Sequence, residues 1–237
     1  MTKSFEQLKM FVVGEIGVNW DGDFELLKDM MSQLKNLGLD AVKFQSFTHD
    51  MIKNHPESSR LFQSSITKDN VEKIHKISSD VEIEWFCTPM YPEAVSFLDP
   101  FVSRYKIREL DGRKIIQNLN SEILNSILPT NKEIIISSQT VPSSCSLFAN
   151  KRIKWLYCIP KYPCTLDEID FSLLEHFDGF SNHCNEIDGP IGAINAGSKI
   201  LEIHVTSDKN KDFIDNPVSF DYDEIKHIMK AAKVINS

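Results

Sequence analysis

A chain of 237 residues, 41% hydrophobic and 25% charged, has the length and composition of one globular domain with a sizeable core. A net charge of −8, with no dense basic cluster, argues against nucleic acid as a partner, so any anionic ligand must be held by a few local cations. No apolar run approaches the roughly 20 residues of a membrane span, and the opening MTKSFEQLKM lacks the layout of a signal peptide, which points to a cytoplasmic protein with no membrane partner.

Short β-rich runs alternate with amphipathic stretches along the chain. Strands are expected at 10–16, 40–45, 83–87, 103–108, 133–137, 153–158, 179–182 and 200–205. Between the first two, Phe24, Leu27, Met30, Met31, Leu34 and Leu37 mark one face of a helix, and Gly38 is its expected C-cap. Further helices fit 67–79, 92–98, 114–128, 166–176, 187–197 and 221–235, with a short one near 143–149. Strands alternating with helices imply parallel pairing through right-handed crossovers. Eight such units match an α/β fold of the (β/α)8 TIM-barrel type, which typically takes about 250 residues. An open doubly wound sheet would place a Gly-rich phosphate loop after strand 1, and EIGVNWDGD is not GxGxxG. One barrel domain over 1–237 is therefore expected. The five cysteines are odd in number and scattered, with no CxxC pair, so they are read as reduced thiols.

Polar residues gather at the C-terminal strand ends, where barrels of this type carry their chemistry. They are Glu15; Lys43 and Gln45, which share a face; Thr88; Lys106 and Arg108, followed by Glu109 and Asp111; Ser137 and Ser138; Lys161 and Tyr162; Ser181 and His183; and Glu202 and His204. Two histidines on adjacent strands at the mouth suit a divalent transition metal, with Glu15, Asp111 or Asp215 as oxygen donors or holders of a bound water. The residues alone leave Mn, Fe, Co and Zn open. Lys43, Lys106 and Arg108 beside Thr88 and the Ser137/Ser138 hydroxyls make a phosphate and carboxylate site, unless each cation is paired with a carboxylate that stabilises the barrel. A Schiff-base lysine is the other chemistry open to a desolvated lysine. A metal together with an anion clamp suggests addition to a polarised carbonyl.

These segments resemble the sialic acid synthase family, whose members condense phosphoenolpyruvate with N-acetylmannosamine or a related amino sugar. VVGEIGVNWDGD is similar to the family's AEIGxNHxGD opening, GLDAVKFQSF to GADAVKFQxF, FSNH to YSDH and LEIHVT to IEKHFT. FCTP, YKI and the YP at 162–163 after LYC also match, and Asp215 with Ser219 fits PDxxxS. The resemblance implies that His183 and His204 ligate the metal, Mn²⁺ first, with Mg²⁺ or Co²⁺ as alternatives. It implies that Lys43, Gln45, Thr88, Lys106, Ser138, Tyr162 and Ser181 line the substrate site, most of them against phosphoenolpyruvate. Glu15 would sit beside the reacting carbons, Asp111 would shuttle a proton and Asp215 would engage the sugar. C3 of phosphoenolpyruvate would attack the sugar aldehyde, and water addition with phosphate loss would give a 2-keto acid.

The chain departs from the family's pattern at several points. Glu109 stands where the family has serine, Pro160 where it has a polar residue, Trp20 where it has histidine and Asn182 where it has aspartate; Asp111 is one methylene shorter than its counterpart. A carboxylate at 109 would repel a bound anion by about 4 kcal/mol at 4 Å and an effective dielectric near 20, unless Arg108 neutralises it or it turns away. The family's C-terminal antifreeze-like domain is not matched before Ser237, so a homodimer, or a separate chain supplying that domain, is an expected partner. Two rival functions follow: a related enzyme with a different acid and an altered substrate, and a non-catalytic paralogue that binds a sugar or a synthase.

Overall fold

The first apolar run becomes strand β1 (Phe11–Glu15) in a computed structural model that describes residues 10–235. Helix α1 (Phe24–Leu37) follows, begun by the Asp23 carboxylate, which accepts from the backbone N–H groups of Glu25 and Leu26. Its apolar stripe buries Leu27, Met30, Met31 and Leu34, and Gly38 ends it at φ 94°, the left-handed conformation that glycine adopts without a Cβ penalty. Strand β2 (Ala41–Ser46) leads into two short helices, α2 (His49–Ile52) and α3 (Ser58–Gln63), before α4 (Val71–Val81). The chain continues through β3 (Glu84–Pro89), α5 (Pro92–Leu98), β4 (Arg104–Ile107), α6 (Glu109–Ile116), α7 (Glu122–Ile127), β5 (Glu133–Ser138), β6 (Ile153–Tyr157), β7 (Gly179–Asn182), α8 (Asp188–Asn195), β8 (Ile200–His204) and α9 (Tyr222–Ile235).

The eight strands pair in sequence order, all parallel, and β8 returns to β1, closing the barrel. The expected TIM-barrel fold is therefore the observed one. Register sets what the mouth presents: Glu15 lies opposite both Lys43 of β2 and His204 of β8, and Ser181 lies opposite Glu202. The apolar core lies between this sheet and the surrounding helices, with Trp20, Trp155, Tyr105, Tyr157, Phe44 and Phe180 among its largest buried side chains. All five cysteines are buried and unpaired. Among the described residues no helix is long and apolar enough to cross a membrane.

Four expected helices change form. The one expected at 67–79 starts at Val71, because Thr67 to Asn70 form a turn in which the Asn70 side chain accepts from Thr67 N–H and donates to the Ser65 carbonyl. The one expected at 114–128 divides into α6 and α7, broken where Asn118 takes φ 56° and restarted by the Ser121 hydroxyl on Leu124 N–H. The segment 166–176 forms two 3₁₀ turns, since the Asp170 carboxylate accepts from Ser172 N–H and begins a second element. Near 143–149 only a 3₁₀ turn, Pro142–Ser144, forms.

Helix α6 sits hard against β5 because Gly112 faces it. A Cβ there would lie 2.1 Å from the Ser137 carbonyl oxygen and 3.0 Å from Ile136 Cγ2. Gly112→Ala must push α6 off the strand, and the expected cost is about 1–3 kcal/mol, read as a lower urea midpoint. An unchanged midpoint would mean that α6 does not pack as described.

Candidate functional site

A cavity of about 490 Å³ opens at the C-terminal strand ends. Its floor is a buried network of alternating charges. Lys43 Nζ lies 2.9 Å from Glu15 Oε2 and 3.8 Å from Glu202 Oε2, and Lys106 Nζ lies 2.6 Å from Glu202 Oε1. The Ser181 hydroxyl donates to Glu202 Oε1 at 2.7 Å, Lys43 donates to Thr88 Oγ1 at 3.2 Å, and Gln45 Nε2 donates to Glu15 Oε1 at 2.9 Å. Burial opposes charge on every member, so each ion is stable only through its neighbours. For Lys43 two carboxylates outweigh the burial and raise its pKa. For Lys106, burial and the repulsion of Lys43 outweigh the single carboxylate, and its pKa is lowered. Burial likewise works against the Glu202 carboxylate, but the two ammonium groups hold it well below the usual carboxylate range.

On the β7–β8 side the two histidine rings are 5.7 Å apart. Burial, then the neighbouring His204, hold the His183 imidazole down at about 3, so it is neutral near pH 7. Its Nδ1–H donates to the Ile159 carbonyl at 2.6 Å, which leaves the Nε2 lone pair to accept from the Tyr162 hydroxyl at 2.7 Å. Tyr162 stacks on the same ring, with centroids 4.0 Å apart. His204 Nδ1 is buried without a hydrogen-bond partner and lies 3.5 Å from Asp215 Oδ2. A fixed tautomer on one imidazole and an unmatched buried nitrogen on the other fit a transition metal held by two imidazoles. Among the described residues no third His, Cys, Asp or Glu joins them at ligating distance, so remaining positions would fall to substrate and water, and Tyr162 would have to leave Nε2.

The opposite wall is the start of α6. Arg108 Nε donates to Asp111 Oδ2 at 2.9 Å, with Lys114 Nζ 3.7 Å from the other oxygen. Glu109 is neutralised by Arg113, one helical turn on, which donates to it through Nε at 3.1 Å and also through an Nη. The cation that meets Glu109 is therefore Arg113 and not the expected Arg108. Both arginines line the cavity.

Ten of the twelve residues expected at the site line this cavity: Glu15, Lys43, Gln45, Thr88, Lys106, Tyr162, Ser181, His183, His204 and Asp215. Two do not. Ser138 has the wrong parity, and its hydroxyl closes a turn, donating to the Thr140 carbonyl and accepting from Thr140 N–H, both at 2.9 Å. Its neighbour Ser137 faces the cavity with a buried, unmatched hydroxyl. Asp111 stands behind Arg108, off the cavity wall. The sequence places Glu202 at the catalytic strand ends without a role and does not single out Arg113. Glu202 was signalled by its shared parity with His204, and Arg113 by its i,i+4 spacing from Glu109. Cys158 also lines the cavity, but burial pushes its thiol up to about 12, which makes it a poor nucleophile near pH 7.

A model of the NeuB family matches residues 30–237. Among curated proteins the chain is 27% identical over 253 residues to an N,N'-diacetyllegionaminic acid synthase of Legionella pneumophila, covering 94% of this chain and 71% of that protein. It is 23% identical over 258 residues to a pseudaminic acid synthase of Campylobacter jejuni, covering 97% and 74%. Among solved structures, an N-acetylneuraminic acid synthetase of Leptospira borgpetersenii superposes with a TM-score of 0.83 at 22% identity, over 96% of this chain and 84% of that one, which establishes a common fold.

Proposed function

The chain belongs to the NeuB family, and from that premise we propose that it condenses phosphoenolpyruvate with an N-acyl amino sugar to give a sialic-acid-like 2-keto acid and phosphate. One observation carries the proposal: a single cavity is lined by two lysines, two arginines and two imidazoles. Relatives named as legionaminic and pseudaminic acid synthases support the product class. The proposed setting is the cytoplasm.

A divalent metal held by His183 and His204, Mn²⁺ first and Mg²⁺ or Co²⁺ next, would polarise the sugar carbonyl. Lys43, Lys106, Arg108 and Arg113 would bind the phosphate and carboxylate of phosphoenolpyruvate, assisted by the Thr88 and Ser137 hydroxyls. Thr88 is suited to this because its oxygen accepts from Lys43 and its own proton remains to be donated. Asp215, beside His204, would accept from sugar hydroxyls. Glu15, held by Gln45 and Lys43, would take the proton given up by the water that adds at C2 of phosphoenolpyruvate. Asp111 enters as the support that orients Arg108, in place of the proton shuttle implied by the resemblance.

The protein loaded with Mn²⁺ is expected to release phosphate and form 2-keto acid in equal amounts, and only when a suitable N-acyl amino sugar accompanies phosphoenolpyruvate. No release with any sugar of a broad panel, from metal-loaded protein, would reject the proposal. A second reading, the same type of barrel enzyme acting on a different substrate, is favoured by the pairing of every cation on the wall with a carboxylate: Lys43 with Glu15, Lys106 with Glu202, Arg108 with Asp111 and Arg113 with Glu109. Weak phosphoenolpyruvate binding together with turnover of another carbonyl donor would support it.

A further inference from the structure

Two of the five buried cysteines meet beside the cavity. After β6 the chain runs through Tyr162 and Pro163 to Cys164, which forms an isolated parallel bridge with Cys184, two residues past the end of β7. The Cys164 N–H donates to the His183 carbonyl at 3.1 Å. In a parallel bridge the paired side chains leave on the same side, and neighbouring strands lie about 4.8 Å apart. That spacing falls inside the roughly 4.4–6.8 Å between Cα atoms that a disulfide spans. The two sulfurs are within hydrogen-bonding reach of each other.

Both backbones are pinned in this pairing. Asn182 Nδ2 donates to the Cys184 carbonyl at 2.6 Å, and next to Cys164 the Thr165 N–H donates to the Glu168 carboxylate at 2.8 Å. Cys164 and Cys184 are 1% and 0% exposed, yet Pro163, Thr165, Asn185 and Glu186 beside them are exposed. The pair therefore lies one residue beneath the surface, where local opening of the rim admits a small oxidant.

We propose that Cys164 and Cys184 form a reversible disulfide, a redox modification site that fastens the Tyr162 loop to the strand end carrying His183. The oxidant is a peroxide. The sulfur of one cysteine, having given up its proton, attacks a peroxide oxygen; the O–O bond breaks, the hydroxide takes up that proton and leaves as water, and a sulfenic acid remains. The sulfur of the second thiol then attacks the sulfenic sulfur; the S–S bond forms, the S–O bond breaks and a second water leaves. Two electrons pass from the thiols to the peroxide, and an external dithiol returns them. Burial disfavours both thiolates, so the reaction is slow and runs through the opened rim. Tyr162 stands two residues before Cys164 and His183 one before Cys184, so the cross-link restrains the backbone motion by which the Tyr162 hydroxyl leaves His183 Nε2. On the reading of His183 as a metal ligand, the oxidised chain binds the metal more weakly.

The test treats the reduced, metal-free full chain with hydrogen peroxide, blocks the remaining thiols and maps peptides with and without dithiothreitol. Expected is a mass lower by two hydrogens, a linked Cys164–Cys184 peptide pair, and return of the reduced mass in dithiothreitol. Cys164→Ser and Cys184→Ser should each abolish the pair, and Cys145→Ser, at a thiol that meets the Ile115 carbonyl instead, should keep it. The map of the unsubstituted chain decides even where a serine variant fails to fold. No disulfide, a pairing that involves another cysteine, or oxidation of single thiols alone would overturn the site. Calorimetry with Mn²⁺ then compares the two forms, and an affinity about tenfold lower is expected for the oxidised one. Equal affinities would overturn the restraint on Tyr162. Absence of Mn²⁺ binding by the reduced chain as well would reject the metal reading of His183, while the peptide map still decides the disulfide.

Discussion

Glu202→Gln should lower the stability of the metal-free protein by about 3–5 kcal/mol, the usual consequence of removing one member of a buried ion pair. The carboxylate touches Lys106 at 2.6 Å and Lys43 at 3.8 Å and accepts from Ser181, and all four groups are nearly inaccessible to water. A glutamine keeps the shape but leaves two buried ammonium groups with only Glu15 between them. The partner experiment is Lys106→Met in the Glu202→Gln background, which removes the stranded charge and should recover much of the loss, giving a strongly non-additive cycle in urea titrations. A single-variant loss below about 1 kcal/mol, or additive effects, would contradict the network as described. The network also fixes the sign of an acid effect. The folded-state pKa of Glu202 lies below its unfolded value, so its contribution is fully present above the ordinary carboxylate range and is lost as pH falls through and below it.

The second large effect concerns the histidines. His183→Ala and His204→Ala should each remove stoichiometric Mn²⁺ binding and reduce phosphate release by about 10³-fold or more, the loss expected when several kcal/mol of electrostatic stabilisation disappears from the transition state. Their effect on folding should be smaller. His183 contributes one hydrogen bond to the Ile159 carbonyl and the stacked Tyr162, a loss of roughly 1–2 kcal/mol. His204 Nδ1 has no hydrogen-bond partner to lose. Undiminished Mn²⁺ affinity in either variant would displace the metal from this pair. Retained Mn²⁺ binding combined with lost turnover would leave the histidines as substrate contacts.

Most of this architecture is legible in the chain because period and parity carry it. Runs such as EIIIS and ILEIHV state their strands, and alternation places Lys43 with Gln45 and Ser181 with His183 on the inner face. The same rule, applied one step further, selects Ser137 over Ser138 and adds Glu202 to His204. What the chain does not state is set by tertiary contact. The break between α6 and α7 depends on Asn118 turning left-handed, and the close seat of α6 on β5 depends on Gly112, neither of which is a periodic signal. The displacement of Asp111 from the wall follows from its pairing with Arg108. That Glu109 is tolerated beside the proposed anion site follows from Arg113, whose spacing was available in the sequence but whose approach to the cavity was not. Helices α2 and α3 arise from HDMIKNHPESSRLFQ, a segment too short and too polar to announce itself, yet its Leu61 is buried with Val18 and Phe47.

The proposed function requires one cavity to receive both phosphoenolpyruvate and a metal. A crystal structure of the protein with Mn²⁺ and phosphoenolpyruvate tests it most directly. The expected result is phosphate against Lys43, Lys106, Arg108 and Arg113, with Mn²⁺ at His183 Nε2 and His204 and the Tyr162 hydroxyl moved off His183. Phosphoenolpyruvate bound away from those four cations, or Mn²⁺ bound elsewhere with the Tyr162–His183 hydrogen bond intact, would contradict it.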